Sequence, residues 1–156
     1  MENKPSTPTT EALNADDCWR VLRGVALGRL AVCVDERPEI FPLNFRTDQE
    51  TIVFRTGPGT KLSAVLNGSP VALEADGINS RTNVAWSVVV KGHATEVDQT
   101  DEFRATVAQL LFPWNPGTKD HFVRITPDAI TGRRFTIALP QTWEITLDDA
   151  TRAGFE

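Results

Sequence analysis

Histidine is scarce in this 156-residue chain. Only His93 and His121 occur, and neither has a cysteine, a second histidine or paired carboxylates at ligand spacing. A metal site takes three or four such donors, so no metal is expected. There is no Gly-x-Ser-x-Gly elbow and no Ser/His/Asp set that would announce a hydrolase. Lys61 follows a glycine-rich turn but is preceded by Thr60, whereas a nucleotide P-loop needs glycine directly before its lysine. A basic excess is missing too. The net charge of −5 and the pI near 5.1 exclude a nucleic-acid backbone as the main partner. No apolar run approaches the ~20 residues that span a bilayer. The start of the chain, MENKPSTPTTEA, lacks the apolar stretch of a signal peptide, so no membrane is expected and the expected location is cytoplasmic. Cysteine is limited to Cys18 and Cys33. Each sits in an apolar pattern, which predicts buried free thiols and no disulfide.

What is present fits one domain with a substantial core. Residues 1–13 are rich in Pro, Ser and Thr without hydrophobic period and read as a disordered arm. The domain proper runs over 14–139, and 140–156 are a C-terminal tail to which the sequence assigns no element. Asn14 is placed to cap a helix with Asp16 and Asp17 in its first turn and Cys18, Val21, Leu22 and Val25 on one face. Strands are expected from Arg29 to Asp35 and, after a turn at Glu36–Pro38, from Glu39 to Arg46. Pro42 is expected to interrupt the ladder there, marking an edge or a bulge. Further strands are expected over Ile52–Thr56, Pro70–Ala75 and Val84–Val97, with Asp76-Gly77 opening a turn. The last of these is long, and Gly92 is its plausible bend. Thr100 caps a second amphipathic helix, carrying Phe103, Val107, Leu110 and Leu111 on one face. The aromatic loop Phe112–Gly117 and two closing strands, His121–Thr126 and Ala129–Leu139, joined across Pro127-Asp128, complete the chain. Six or seven strands with three helices and no βα alternation predict a mostly β fold: an antiparallel barrel with helices as lids.

The chemistry centres on Ile52–Gly68. It reads as a strand, a turn bracketed by Gly57 and Gly59, and a helix with Thr60 and Lys61 in its first turn. The first N–H groups of a helix lack internal acceptors, which favours an anion, and Lys61 adds a full charge. Arg55 is expected to reach the same spot from the strand. A bland strand-turn-helix connection with a solvated lysine has the same pattern. Asn44, next to Pro42, leaves backbone groups to meet a ligand. A late basic cluster, Lys119, His121, Arg124, Arg133 and Arg134, reads either as a solvated strand face or as a second anionic contact.

An ordered set of pieces carries a resemblance: Gly28-Arg-Leu-Ala-Val, Pro42 to Phe45, Val53 to Thr56, Gly59-Thr-Lys61, Trp86 to Gly92, Phe122 to Pro127 and Ile130 to Phe135. Over residues 14 to 136 the chain resembles the pyridoxamine 5′-phosphate oxidase-like flavin-binding proteins. The resemblance implies a split β-barrel of six to seven antiparallel strands. It also implies a homodimer with FMN in two clefts between the subunits and a small-molecule substrate. It places the phosphate near Arg55, Thr56, Gly59, Thr60 and Lys61, and the backbone of Pro42, Leu43, Asn44 and Phe45 beside the isoalloxazine ring. Ser87 approaches the cofactor from the barrel wall. An oxidoreductase follows, because the flavin carries the redox chemistry while the protein positions it. Two departures stand out. Arg133, Arg134 and Phe135 lack the histidine of the Arg-x-His pair that grips pyridoxine phosphate, so that substrate is not expected. The strand Glu39–Phe45 lacks a lysine, so fewer phosphate contacts are expected, and the deazaflavin F420 is the alternative cofactor. A flavin- or haem-binding carrier without catalysis is the reading from another class.

Overall fold

The structure, a computed structural model, describes residues 9–111 and 121–137. In chain order the elements are β1 (Thr10–Leu13), α1 (Ala15–Arg23), β2 (Leu27–Val34), β3 (Arg37–Asn44), β4 (Arg46–Asp48) and β5 (Thr51–Thr56). There follow α2 (Thr60–Val65), β6 (Val71–Asn79), β7 (Val84–Glu96), α3 (Asp101–Ala105), α4 (Val107–Leu110) and β8 (His121–Thr136). All strand pairs are antiparallel, in the order β3-β2-β6-β7-β8-β5-β4, with β1 added on β8. The sheet curls into a half-barrel, and the fold is a split β-barrel.

Alternation builds the core. Leu30 and Val32 of β2, Leu73 and Ala75 of β6, and Val88 and Val90 of β7 are buried and share one face. Ile52 and Phe54 of β5 join them, with Val123 and Ile125 of β8. Burying each such side chain contributes about 1.5–3 kcal/mol. Helix α1 adds Cys18, Trp19 and Leu22 to this cluster. Its start is as the sequence predicts: the Asn14 side chain accepts from the Asp17 N–H at 2.8 Å. A smaller cluster of Val53, Phe103, Leu111 and Phe122 lies beside it.

Several expectations are corrected. Residues 10–13, placed in the disordered arm, form β1, which pairs with Gly132–Phe135 of β8 and buries Leu13. The β2–β3 turn falls at Asp35 and Glu36, both at positive φ, one residue before the expected Glu36–Pro38. Two positive-φ residues match the twist of a two-residue hairpin. Gln49 and Glu50 make the same kind of turn, and the three residues before it pair as β4. Asp76-Gly77 opens no turn, because pairing with Ser87 and Trp86 carries β6 on to Asn79. The second helix breaks at Thr106, whose φ of −116° and ψ of −90° are not helical. Cys33 is a free thiol as expected but exposed, since it lies on the outer side of β2; Cys18 is free and buried.

The two closing strands are one, β8, with a bulge. Lys91 faces Ala129 and Gly92 faces Pro127, so Asp128 is the extra residue. A single inserted residue reverses which side chains point inward: Val123 and Ile125 are buried before it, while Gly132 meets the core after it. Gly92 is the expected bend, and its reason is close approach. A Cβ there would lie 2.1 Å from the Thr126 carbonyl oxygen. The aromatic loop from Phe112 and the tail lie outside the described residues.

Candidate functional site

Strand β5 ends in Thr56, a buried polar residue whose hydroxyl has a long contact, 3.4 Å, to the Gly57 carbonyl. The chain turns through Gly59 at φ 131°, a conformation only glycine adopts without strain. No heavy atom lies within 4 Å of where its Cβ would stand. Helix α2 starts there, with the Ser63 N–H donating to the Gly59 carbonyl at 3.1 Å. Gly59 has no side chain to cap the first N–H groups of the helix, and Thr60 is exposed. The cradle is open and lined by donors. That donor set fits a phosphate.

Lys61 ties this turn to β3. Its ammonium stands 5.4 Å from the centroid of the Phe41 ring, one residue before Pro42. A cation over an aromatic face is attracted by the ring quadrupole. The turn before α2 is therefore brought to Phe41, the neighbour of Pro42 in β3. Phe41, which holds Lys61, went unnoticed in the sequence, where it reads only as an apolar residue of an alternating strand.

Strand β3 closes one end of the sheet. Pro42 does not interrupt its ladder. Phe45 donates its N–H to Ala26 at 2.9 Å, so alternation turns the odd N–H groups toward β2 and the even positions toward the open edge. Pro38 and Pro42, opposite Cys33 and Arg29, occupy even positions and leave the β2 bonds intact. The edge thus presents carbonyl oxygens in excess of N–H groups. Leu43 and Phe45 turn inward and are buried.

Arg55 reaches toward β8 and Leu111. Its guanidinium lies 4.9 Å from the Phe122 centroid and Nη1 donates to the Leu111 carbonyl at 3.4 Å. It shares a face with Val53, opposite the face of Thr56. The Lys61 ammonium stands over Phe41 of β3 and the Arg55 guanidinium over Phe122 of β8.

Ser87 is half-buried on the outer face of β7, three strands from β3. Register places it between Asp76 of β6 and Arg133 of β8. Beside them, Arg29 donates to Glu74 at 2.7 Å and meets Asp76 at 3.5 Å. The Glu74 carboxyl is pushed above its usual range, first by desolvation and then by the Asp76 charge, with Arg29 opposing. This outer face also carries the exposed large hydrophobics Ile40, Ile78 and Phe135, which are 66%, 56% and 36% exposed. Ile78 and Phe135 share a cross-strand row through Ala85, whereas Ile40 lies in the row of Ala31 and Ala72, six residues away along β6.

The late basic cluster is dispersed. Arg124 binds Asp48 at 2.8 Å and Thr51 at 2.6 Å, Arg134 binds Glu11 at 3.1 Å, and His121 pairs with Glu96. Lys119 lies outside the described residues. Among the described residues no hydrogen bond or ion pair holds the Arg133 side chain, which is exposed. No helix among the described residues is long and apolar enough to cross a membrane.

Residues 14–134 match the family model described as pyridoxamine 5′-phosphate oxidase. An uncharacterized protein of Mycobacterium tuberculosis is 35% identical over 127 residues, covering 78% of this chain and 83% of its own. A FAD-binding protein from Mycobacterium smegmatis is 38% identical, with a TM-score of 0.63, over 81% of this chain and 99% of that one. A Corynebacterium glutamicum protein, also 38% identical, superposes with a TM-score of 0.72 over 83% of this chain and 100% of that one.

Proposed function

Because the chain belongs to the pyridoxamine 5′-phosphate oxidase family, we propose that it binds a flavin nucleotide whose phosphate lies against Thr56, Gly59, Thr60 and Lys61. One observation carries the reading. The Lys61 ammonium stands over Phe41, so the donor-lined turn before α2 offers its surface beside the strand that carries Pro42–Phe45. That surface offers a cation and N–H donors for a phosphate. Next to them, a strand edge of carbonyl and N–H groups suits the donors and acceptors on the rim of an isoalloxazine ring.

FMN is the cofactor this reading takes first, since a single phosphate suffices for the contacts. FAD is the second reading, favoured by the FAD-binding relative at 38% identity. Ser87 joins the site only across a subunit boundary, because three strands separate it from β3 in one chain. We therefore include a homodimer in the proposal. The outer face with Ile40, Ala31 and Ala72 in one cross-strand row is the surface offered to a second copy. Bound there, the flavin supplies the redox chemistry and the protein acts as an oxidoreductase on a small molecule. The chain's own share is to orient the cofactor through Lys61 and the β3 edge. Purification without added cofactor, followed by absorbance and mass measurement of the released ligand, tests the proposal. A flavin spectrum with the mass of FMN or FAD is expected. A deazaflavin, or a protein that takes up neither nucleotide on titration, would sink it.

A further inference from the structure

The bend between α2 and β6 carries an Asn-Gly pair, Asn67-Gly68, with both residues exposed. Two contacts fix the Asn67 amide. Its Nδ2 donates to the Cys33 carbonyl of β2 at 3.2 Å, and its Oδ1 accepts from the Ser69 N–H at 2.8 Å. The second contact polarises the amide carbon, as a donor aimed at a developing oxyanion does. The nitrogen of Gly68 lies between these partners in the chain. Gly68 has a φ of 86°, and a Cβ there would have no heavy atom within 4 Å. Among the described residues no hydrogen bond holds its N–H. Asn14 and Asn79 also accept an N–H at Oδ1, from Asp17 at 2.8 Å and Arg81 at 3.0 Å. Ala15 and Ser80 follow them, and a Cβ crowds the nitrogen that glycine leaves open.

We infer that Asn67 is a site of self-modification, at which the Gly68 nitrogen displaces the side-chain amide and unties α2 from β2. In the first step the Gly68 nitrogen gives up its proton and bonds to Asn67 Cγ. The Cγ–Nδ2 bond breaks, and Nδ2 leaves with that proton as ammonia. Nucleophile and carbonyl belong to adjacent residues, so the ring closes without an encounter. In the second step water adds to one of the two carbonyl carbons of the five-membered ring and breaks its bond to the Gly68 nitrogen. Opening at Cγ gives aspartate, and opening at the main-chain carbon gives isoaspartate. Water enters, ammonia leaves, and nothing is oxidised or reduced. The ionised carboxylate can only accept, so the Cys33 carbonyl loses its donor. The reaction does not depend on the flavin reading.

Peptide mapping by mass spectrometry, after incubation of the full-length protein at neutral and at mildly alkaline pH, tests it. The Asn67 peptide is expected to gain a single mass unit before the Asn14 and Asn79 peptides do. The gain should come faster at the higher pH, with both aspartate and isoaspartate formed. Asn67→Gln, which would have to close a larger ring, should stay unmodified at that position while the protein remains folded. Asn67→Asp carries one product from the start. Its melting temperature is expected to lie about 2–4 °C below that of wild type, the usual size of one lost hydrogen bond in a chain of this length. An intact Asn67 after Asn14 or Asn79 has converted, a rate indifferent to pH, or aspartate without isoaspartate each overturns the modification. An Asn67→Asp variant that melts with wild type overturns the untying.

Discussion

Lys61 and Glu74 are the residues at which charge can be tested. If Lys61 meets a flavin phosphate, the contact is charge-assisted and worth about 1.5–3 kcal/mol, or roughly ten- to a hundredfold in affinity. Lys61→Ala is expected to lose FMN affinity by about that factor, while riboflavin, which has no phosphate, binds both proteins equally. Calorimetry of both ligands decides; equal FMN affinity would leave Lys61 a cation resting on Phe41 and nothing more. Glu74 gives a pH test. Its carboxyl is raised above the usual 4.5 by burial and by Asp76, so the folded state holds a proton that the unfolded state releases. The linked stabilisation is complete below pH ~4.5 and is lost as pH rises through the raised value. The melting temperature of wild type, measured relative to Glu74→Gln, is therefore expected to fall as pH is raised from 4 to 7. A difference that stays constant over that range would contradict it. Of the proposed site residues, Lys61, Thr60 and Gly59 are legible in the sequence because a glycine turn before a helix is a local pattern. The partner of Lys61 was not, since Phe41 is twenty positions earlier and reaches it only through the fold.

Strand β8 is the element on which the others converge, with β7 along one side and β5 and β1 sharing the other. Its bulge depends on Gly92, where a methyl group would press on the Thr126 carbonyl and the backbone must move. Gly92→Ala is expected to cost more than an ordinary strand substitution, about 3 kcal/mol or more, as overpacking against backbone does. Denaturant unfolding measures it, and a loss under about 1 kcal/mol would show that the strands separate easily. The companion test is β1. Leu13 packs into the main core, so Leu13→Ala should lower the melting temperature by about 5–10 °C, from a loss of about 2–3 kcal/mol. An unchanged temperature would return residues 10–13 to a passive arm. The sequence misjudged β1 for a physical reason. A four-residue strand with three exposed positions carries no hydrophobic period, and its pairing partner is more than a hundred residues away. Helix α1 was legible because its cap and apolar face are local.

At the scale of the whole molecule, Ile40 marks the proposed subunit surface: large, apolar and 66% exposed on an edge strand. Sedimentation at micromolar concentration is expected to give about twice the 17.2 kDa chain mass. Ile40→Lys is expected to shift the protein toward monomer without unfolding it, because the side chain makes little contribution to the chain's own core. A wild-type monomer would remove the shared cleft, and with it the place of Ser87 in the flavin site.

The sequence by itself determined the strand-rich class, the two caps at Asn14 and Thr100, the bend at Gly92 and the donor-lined turn at Gly59–Lys61. Each rests on spacing within a few residues, where hydrogen-bond geometry and alternation act directly. Only the tertiary structure decided that β1 belongs to the sheet, that Arg55 leans on Phe122, and that Arg124 and Arg134 are answered by Asp48 and Glu11. It also decided that Ile40, Ile78 and Phe135 share one outer face. Those outcomes depend on the register between strands far apart in the chain. A shift of one residue in that register sends every side chain of a strand to the opposite face.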